Sequence, residues 1–81
     1  RSEMIRDMVE GLSARLANRG GPPEDWARLI TSLGVLRETE RARAIWQEAQ
    51  GVFAAQPGAL ETIRAAAREA GVADVPAEDG Q

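Results

Sequence analysis

The chain has 81 residues, thirteen acids against ten bases, a formal net charge of −3, and neither cysteine nor histidine. That length holds one small domain, near the lower limit for a self-sufficient core. The missing cysteines exclude a disulfide framework and thiolate metal sites, and the acidic balance argues against a nucleic-acid partner. All ten bases are arginine, which reflects composition rather than mechanism. No apolar run reaches the ~20 residues of a membrane span, and no signal peptide opens the chain. Because it starts at Arg1, the sequence is expected to be a piece of something longer, with any export or anchoring signal upstream.

The first predicted helix runs from Ser2 to Asn18, with an apolar stripe of Ile5, Met8, Val9, Leu12 and Leu16. Those three- and four-residue steps are one helical face. Gly11 inside it costs about 1 kcal/mol against alanine and points to close backbone packing or mild weakness. Asn18-Arg19-Gly20-Gly21-Pro22-Pro23 then ends the helix, since Asn or Gly takes the left-handed cap and two prolines cannot continue it.

A second helix starts at Pro23 and runs to about Leu36, with Glu24 and Asp25 at the positive end of its dipole. It carries Trp26, Leu29, Ile30, Leu33 and Leu36 on one face. The third starts near Glu38 or Thr39 and is expected to reach Gln56, where Pro57-Gly58 interrupts it. Its face is Ala42, Ile45, Trp46, Ala49 and Phe53. A small Ala42 opposite a bulky Trp46 suits close helix packing. The fourth, Ala59 to Ala70, turns Leu60, Ile63, Ala66, Ala67 and Ala70 inward, and Gly71 caps it.

Residues 72–81 (VADVPAEDGQ) lack a period and are mostly small or acidic, so they are expected to be a disordered C-terminal tail beyond a helical domain at 1–71. No strand pattern occurs. The expected fold is all-α, an antiparallel array of about four helices. Its structural core is Trp26, Leu29, Leu33, Ala42, Trp46 and Ala49, with the two tryptophans interlocking across the central hairpin.

One repeat signature fits the central pair. The tetratricopeptide repeat (TPR), a helix–turn–helix unit of about 34 residues, has W-x2-L-G-x2-Y, then A-x3-F, then P. This chain has Trp26-x2-Leu29-Ile30-x2-Leu33, then Ala42-x3-Trp46-x2-Ala49, then Pro57. It departs at Ile30, at Leu33, and at Arg37, where the turn usually has glycine. Pro57 comes three residues late, which implies a third helix about one turn longer than usual. The flanking helices resemble half-repeats, giving one full unit with a half unit on each side.

Residues 4 to 70 also resemble the periplasmic TPR segment of the CcmI/CycH family of bacterial c-type cytochrome maturation proteins. The carrying features are the MVxxLxxRL helix, the Gly-Pro-rich link into Glu-Asp-Trp, and the Ala42–Trp46–Ala49 helix. The resemblance implies a periplasmic domain of a membrane-anchored protein, with the anchor outside this sequence. It also implies a chaperone that holds apocytochrome c and presents it for haem ligation, among other maturation components.

No catalytic residue is expected. With no His, Cys or Tyr, acid–base and nucleophilic chemistry lack an actor. Met4 and Met8 have no His or Cys with which to form a haem axial pair, so no cofactor and no metal are expected. A peptide-binding groove remains. In TPR units the first helix of each pair lines the concave face, here Glu24, Ala27, Arg28, Thr31, Gly34 and Val35. Small side chains at Ala27, Thr31 and Gly34 would leave room for a guest. On the fourth helix the corresponding row is Glu61, Arg64 and Arg68, whose arginines are i, i+4 neighbours. The plain alternatives are that these arginines are solvated or paired with Glu61 and Glu69, and that the chain is a structural capping unit or a generic TPR scaffold.

Overall fold

The computed structural model describes residues 2–73, with side chains from residue 3 onward. Four helices follow one another: α1 (Ser2–Arg19), α2 (Pro23–Val35), α3 (Thr39–Val52) and α4 (Pro57–Glu69). Among the described residues there is no strand. The fold is an all-α helix array.

Side-chain contacts give the direction of each helix. Arg15 near the end of α1 pairs with Asp25 at the start of α2, at 2.8 Å, so these two run antiparallel. Trp26 in the first turn of α2 meets Phe53, just past the end of α3, edge to face with centroids 5.8 Å apart. Gly34, near the C-terminus of α2, abuts Ala70, just beyond the C-terminus of α4. Hence α2 and α4 lie parallel. Arg6 and Glu10 in the first half of α1 reach Glu38 and Arg41 at the start of α3, so α1 and α3 are parallel too. Direction alternates along the chain, and second neighbours share it.

The core runs through all four helices. It comprises Val9, Leu12, Leu16, Trp26, Leu29, Ile30, Leu33, Ala42, Trp46, Ala49, Phe53, Ile63, Ala66 and Ala67, with no buried polar or charged residue. Burying a leucine or isoleucine contributes roughly 1.5–3 kcal/mol, so this cluster is what holds so small a chain together. One polar atom inside it, Trp26 Nε1, finds no hydrogen-bond acceptor.

The helix ends follow from local chemistry. After α4, Gly71 takes φ +79°, the Val72 N–H donates to the Ala67 carbonyl at 2.8 Å, and the Gly71 N–H donates to Arg68 at 3.0 Å. This is a Schellman cap. The end of α2 repeats it with an arginine: the Glu38 N–H donates to Leu33 at 2.9 Å and the Arg37 N–H to Gly34 at 3.0 Å. Arg37 takes φ +63°, the only non-glycine to do so among the described residues.

Five local expectations change. Helix α3 ends at Val52 rather than Gln56, so it is not a turn longer than usual. Gln56 precedes a proline, which disfavours helical backbone there, and it sits at φ −127°, ψ 82°. Pro57 therefore opens α4 instead of merely interrupting α3, a position that suits its fixed φ. Met8 is 37% exposed, because α1 has only one helix to pack its backbone against and a narrower stripe suffices. A Cβ at Gly11 would meet nothing within 4 Å, so no close approach explains that glycine. The aromatic partner of Trp26 is Phe53, not Trp46, since antiparallel α3 brings its C-terminal end to the start of α2.

Of the sequence beyond Gly71, Val72 and Ala73 are half-buried against the core. The remainder of the expected tail, 74–81, lies outside the described residues.

Candidate interaction surface

Helix α2 turns Trp26, Leu29, Ile30 and Leu33 inward. The opposite surface is the row singled out above. Glu24 and Arg28 are exposed, Thr31 is half-buried, and Val35 is 64% exposed, unusual for a branched apolar side chain. Ala27 is half-buried and packs on the core. Gly34 differs from these. A Cβ built on it would lie 2.9 Å from Ala70 Cβ and 3.2 Å from Ala70 Cα. The space that glycine leaves is therefore taken by the end of α4 and is not open to a guest. What the structure brings together on one accessible face of α2 is Arg28, Thr31 and Val35, with Ala27 at its edge.

The two arginines of α4 separate. Arg64 lays its guanidinium over the Trp46 ring, 5.3 Å from the centroid, and its Nε approaches Glu61 at 3.6 Å. Arg68 is exposed and has no ion-pair partner among the described residues. So Arg64 is held toward α3, while Arg68 projects freely.

A charge network ties α1 to the start of α3. Arg6 bonds Glu38 at 2.7 Å, and Arg41 bonds both Glu38 and Glu10 at 3.0 Å. Hydrogen bonds from Arg6 and then Arg41 lower the Glu38 pKa below the ordinary carboxylate value, and those to Glu10 and Glu38 raise Arg41. Partners 31 and 32 residues apart in sequence cannot be matched by spacing alone.

The structure adds an open cleft of about 310 Å³ between α3 and α4, lined by Arg43, Trp46, Gln47, Gln50, Arg64 and Val72. The sequence reading missed it. Its signal was the i, i+4, i+7 row Arg43, Gln47, Gln50 beside Trp46. Among the described residues no group of three metal-ligating side chains occurs, and no helix is long and apolar enough to cross a membrane.

Fold and surface thus define an all-α array of four helices that alternate in direction. The chain is a relative of the cytochrome c-type biogenesis protein CycH of Rhizobium meliloti (strain 1021), with 35% identity over 72 residues, or 89% of this chain. It spans only 19% of that protein's length. No family model matches the chain. No solved structure matches it either.

Proposed function

We propose that this chain is a TPR-type protein-interaction module of a c-type cytochrome maturation factor, and that it chaperones apocytochrome c for haem ligation. The observation that carries the reading is the relationship to CycH along nearly the whole chain. Two structural features support the TPR part. Helix direction alternates, and α4 begins at a proline one repeat length, about 34 residues, after α2 begins at one.

The row Ala27, Arg28, Thr31 and Val35 of α2 is the surface for the guest polypeptide. Val35 supplies exposed apolar area, and Arg28 can donate to backbone carbonyls or carboxylates. Arg68 steers acidic groups of the guest from the neighbouring helix, and Arg64, anchored on Trp46, contributes from further back. The module is a holder and not an enzyme. Its place is the periplasm, tethered through an anchor elsewhere in the parent protein.

The test is titration of unfolded apocytochrome c into the folded chain, with folded holocytochrome c in a parallel arm. Binding of the apo form alone supports the chaperone reading. Binding of neither, with the chain shown to be folded, sinks it and leaves a capping unit.

A further inference from the structure

The cleft between α3 and α4 has a composition that the proposed groove on α2 does not share. We infer that it is a second binding site, for a carboxylate-bearing segment of another polypeptide, with Arg43 and Arg64 as its cationic anchors and only Arg64 shared with the surface on α2. The inference does not rest on the cytochrome reading.

Arg43 and Arg64 present planar guanidiniums, whose forked donors match a carboxylate. Arg64 is held in place by the face of Trp46 at 5.3 Å, which restrains a side chain that would otherwise lose much freedom on binding. Gln47 and Gln50 add amides that both donate and accept. That mixed character suits the N–H and C=O of a peptide backbone; a phosphate, which needs donors only, would gain nothing from the two carbonyls. Val72 and the flank of Trp46 supply the apolar remainder of the wall.

The charges there are not already satisfied. Arg43 has no ion-pair partner among the described residues, and the Glu61 contact to Arg64 is long, at 3.6 Å, with Glu61 73% exposed. Glu10 and Glu38 are paired with Arg41, and Asp25 with Arg15, so none of these three acids serves the cleft. A cleft of about 310 Å³ lies at the small end of ligand pockets, so it takes a short stretch of a longer chain and not a large cofactor. The polar lining also argues against an apolar helix as occupant, because packing one there would strand two guanidiniums and two amides.

The experiment uses the full 81-residue chain, labelled with 15N, and reads the indole N–H resonances of its two tryptophans. The probe is an acetylated, amidated peptide of alternating glutamate and alanine; its glutamine isostere is the comparison. The acidic peptide is expected to move the Trp46 signal saturably, with an affinity that falls as salt rises. Trp26, which is not part of the cleft, stays still. Arg43→Gln should weaken binding about tenfold, equivalent to 1.4 kcal/mol. Arg43 is exposed, and Arg19→Gln at the end of α1, outside both surfaces, should leave binding unchanged. The inference is overturned by the absence of a Trp46 response at millimolar peptide, by equal binding of the isostere, or by equal binding to Arg43→Gln. A fourth arm neutralises Asp74, Glu78 and Asp79 to Asn, Gln and Asn. If that alone moves Trp46 and tightens peptide binding, the cleft is filled by its own chain, which overturns a site for a separate polypeptide.

Discussion

Gly34 of α2 and Ala70 at the end of α4 touch so closely that a single added carbon would sit 2.9 Å from the alanine Cβ. This contact sets the spacing of two parallel helices, because neither partner has a side chain that could turn away. Gly34→Ala brings two opposed effects. Alanine favours helix by about 1 kcal/mol over glycine, while overpacking against a rigid neighbour typically costs 1–3 kcal/mol. The atoms met are Cα and Cβ, not the far end of a flexible chain, so packing should win. A net loss of about 1 kcal/mol in denaturant unfolding is expected, and Ala70→Gly in the same chain should recover part of it. A Gly34→Ala variant more stable than the parent would mean that α4 does not press on α2.

Arg37 offers the opposite change. It holds φ +63° in a cap where the equivalent position after α4 is glycine. A left-handed conformation strains any residue with a Cβ, so Arg37→Gly should stabilise by roughly 0.5–1 kcal/mol. Its side chain is exposed and makes no ion pair among the described residues, so little is lost with it. Unchanged or lower stability on chemical unfolding would show that the arginine has a compensating contact.

Trp26 and Phe53 lock the start of α2 to the end of α3. Truncating either to alanine should cost about 3–5 kcal/mol, most of the stability of a domain this size. A milder double-mutant cycle with leucine at each position should give a coupling of about 0.5–1.5 kcal/mol beyond lost area. Zero coupling would mean that the edge-to-face geometry contributes nothing of its own.

The Arg6–Glu38–Arg41–Glu10 network makes a pH-dependent contribution. The folded-state pKa of Glu38 is lowered, chiefly by hydrogen bonds from Arg6 and then Arg41. Its contribution is therefore present above the unfolded carboxylate pKa and lost as pH falls through the lower folded value. Glu38→Gln should destabilise at neutral pH, with the difference from the parent shrinking as acid is added. A Glu38→Gln difference that is constant with pH would contradict the network's electrostatic origin.

Much of the fold was legible because helical periodicity is strong. Trp26, Leu29 and Leu33 recur on one face, Ala42, Trp46 and Ala49 on another, and the described residues form the all-α array that such faces demand. The positive φ at Arg37 was legible as well, since a turn that usually needs glycine leaves few alternatives. What failed were inferences about contacts between helices. Spacing could not reveal that Phe53 rather than Trp46 meets Trp26, or that Ala70 fills the notch at Gly34. The end of α3 is not marked by Pro57 itself, because a proline constrains the residue before it, here Gln56, and opens the next helix. On the surface, Arg64 and Arg68 looked equivalent at i, i+4, yet the Trp46 ring draws one of them toward α3. The cleft needed two helices at once, and only Arg43, Gln47 and Gln50 foreshadowed it.

The central claim is that the outward row of α2 receives a cytochrome polypeptide. The most direct measurement titrates a labelled C-terminal segment of apocytochrome c into the parent chain, Thr31→Trp, and Arg64→Ser/Arg68→Ser, at low and moderate salt. Thr31 is half-buried in the middle of that row, beside exposed Arg28 and Val35. An indole there should obstruct the surface while the melting transition stays cooperative. The account expects the parent to bind, Thr31→Trp to lose binding, and the arginine pair to associate more slowly with a weaker salt dependence. Binding by a folded Thr31→Trp variant as tight as by the parent would contradict it.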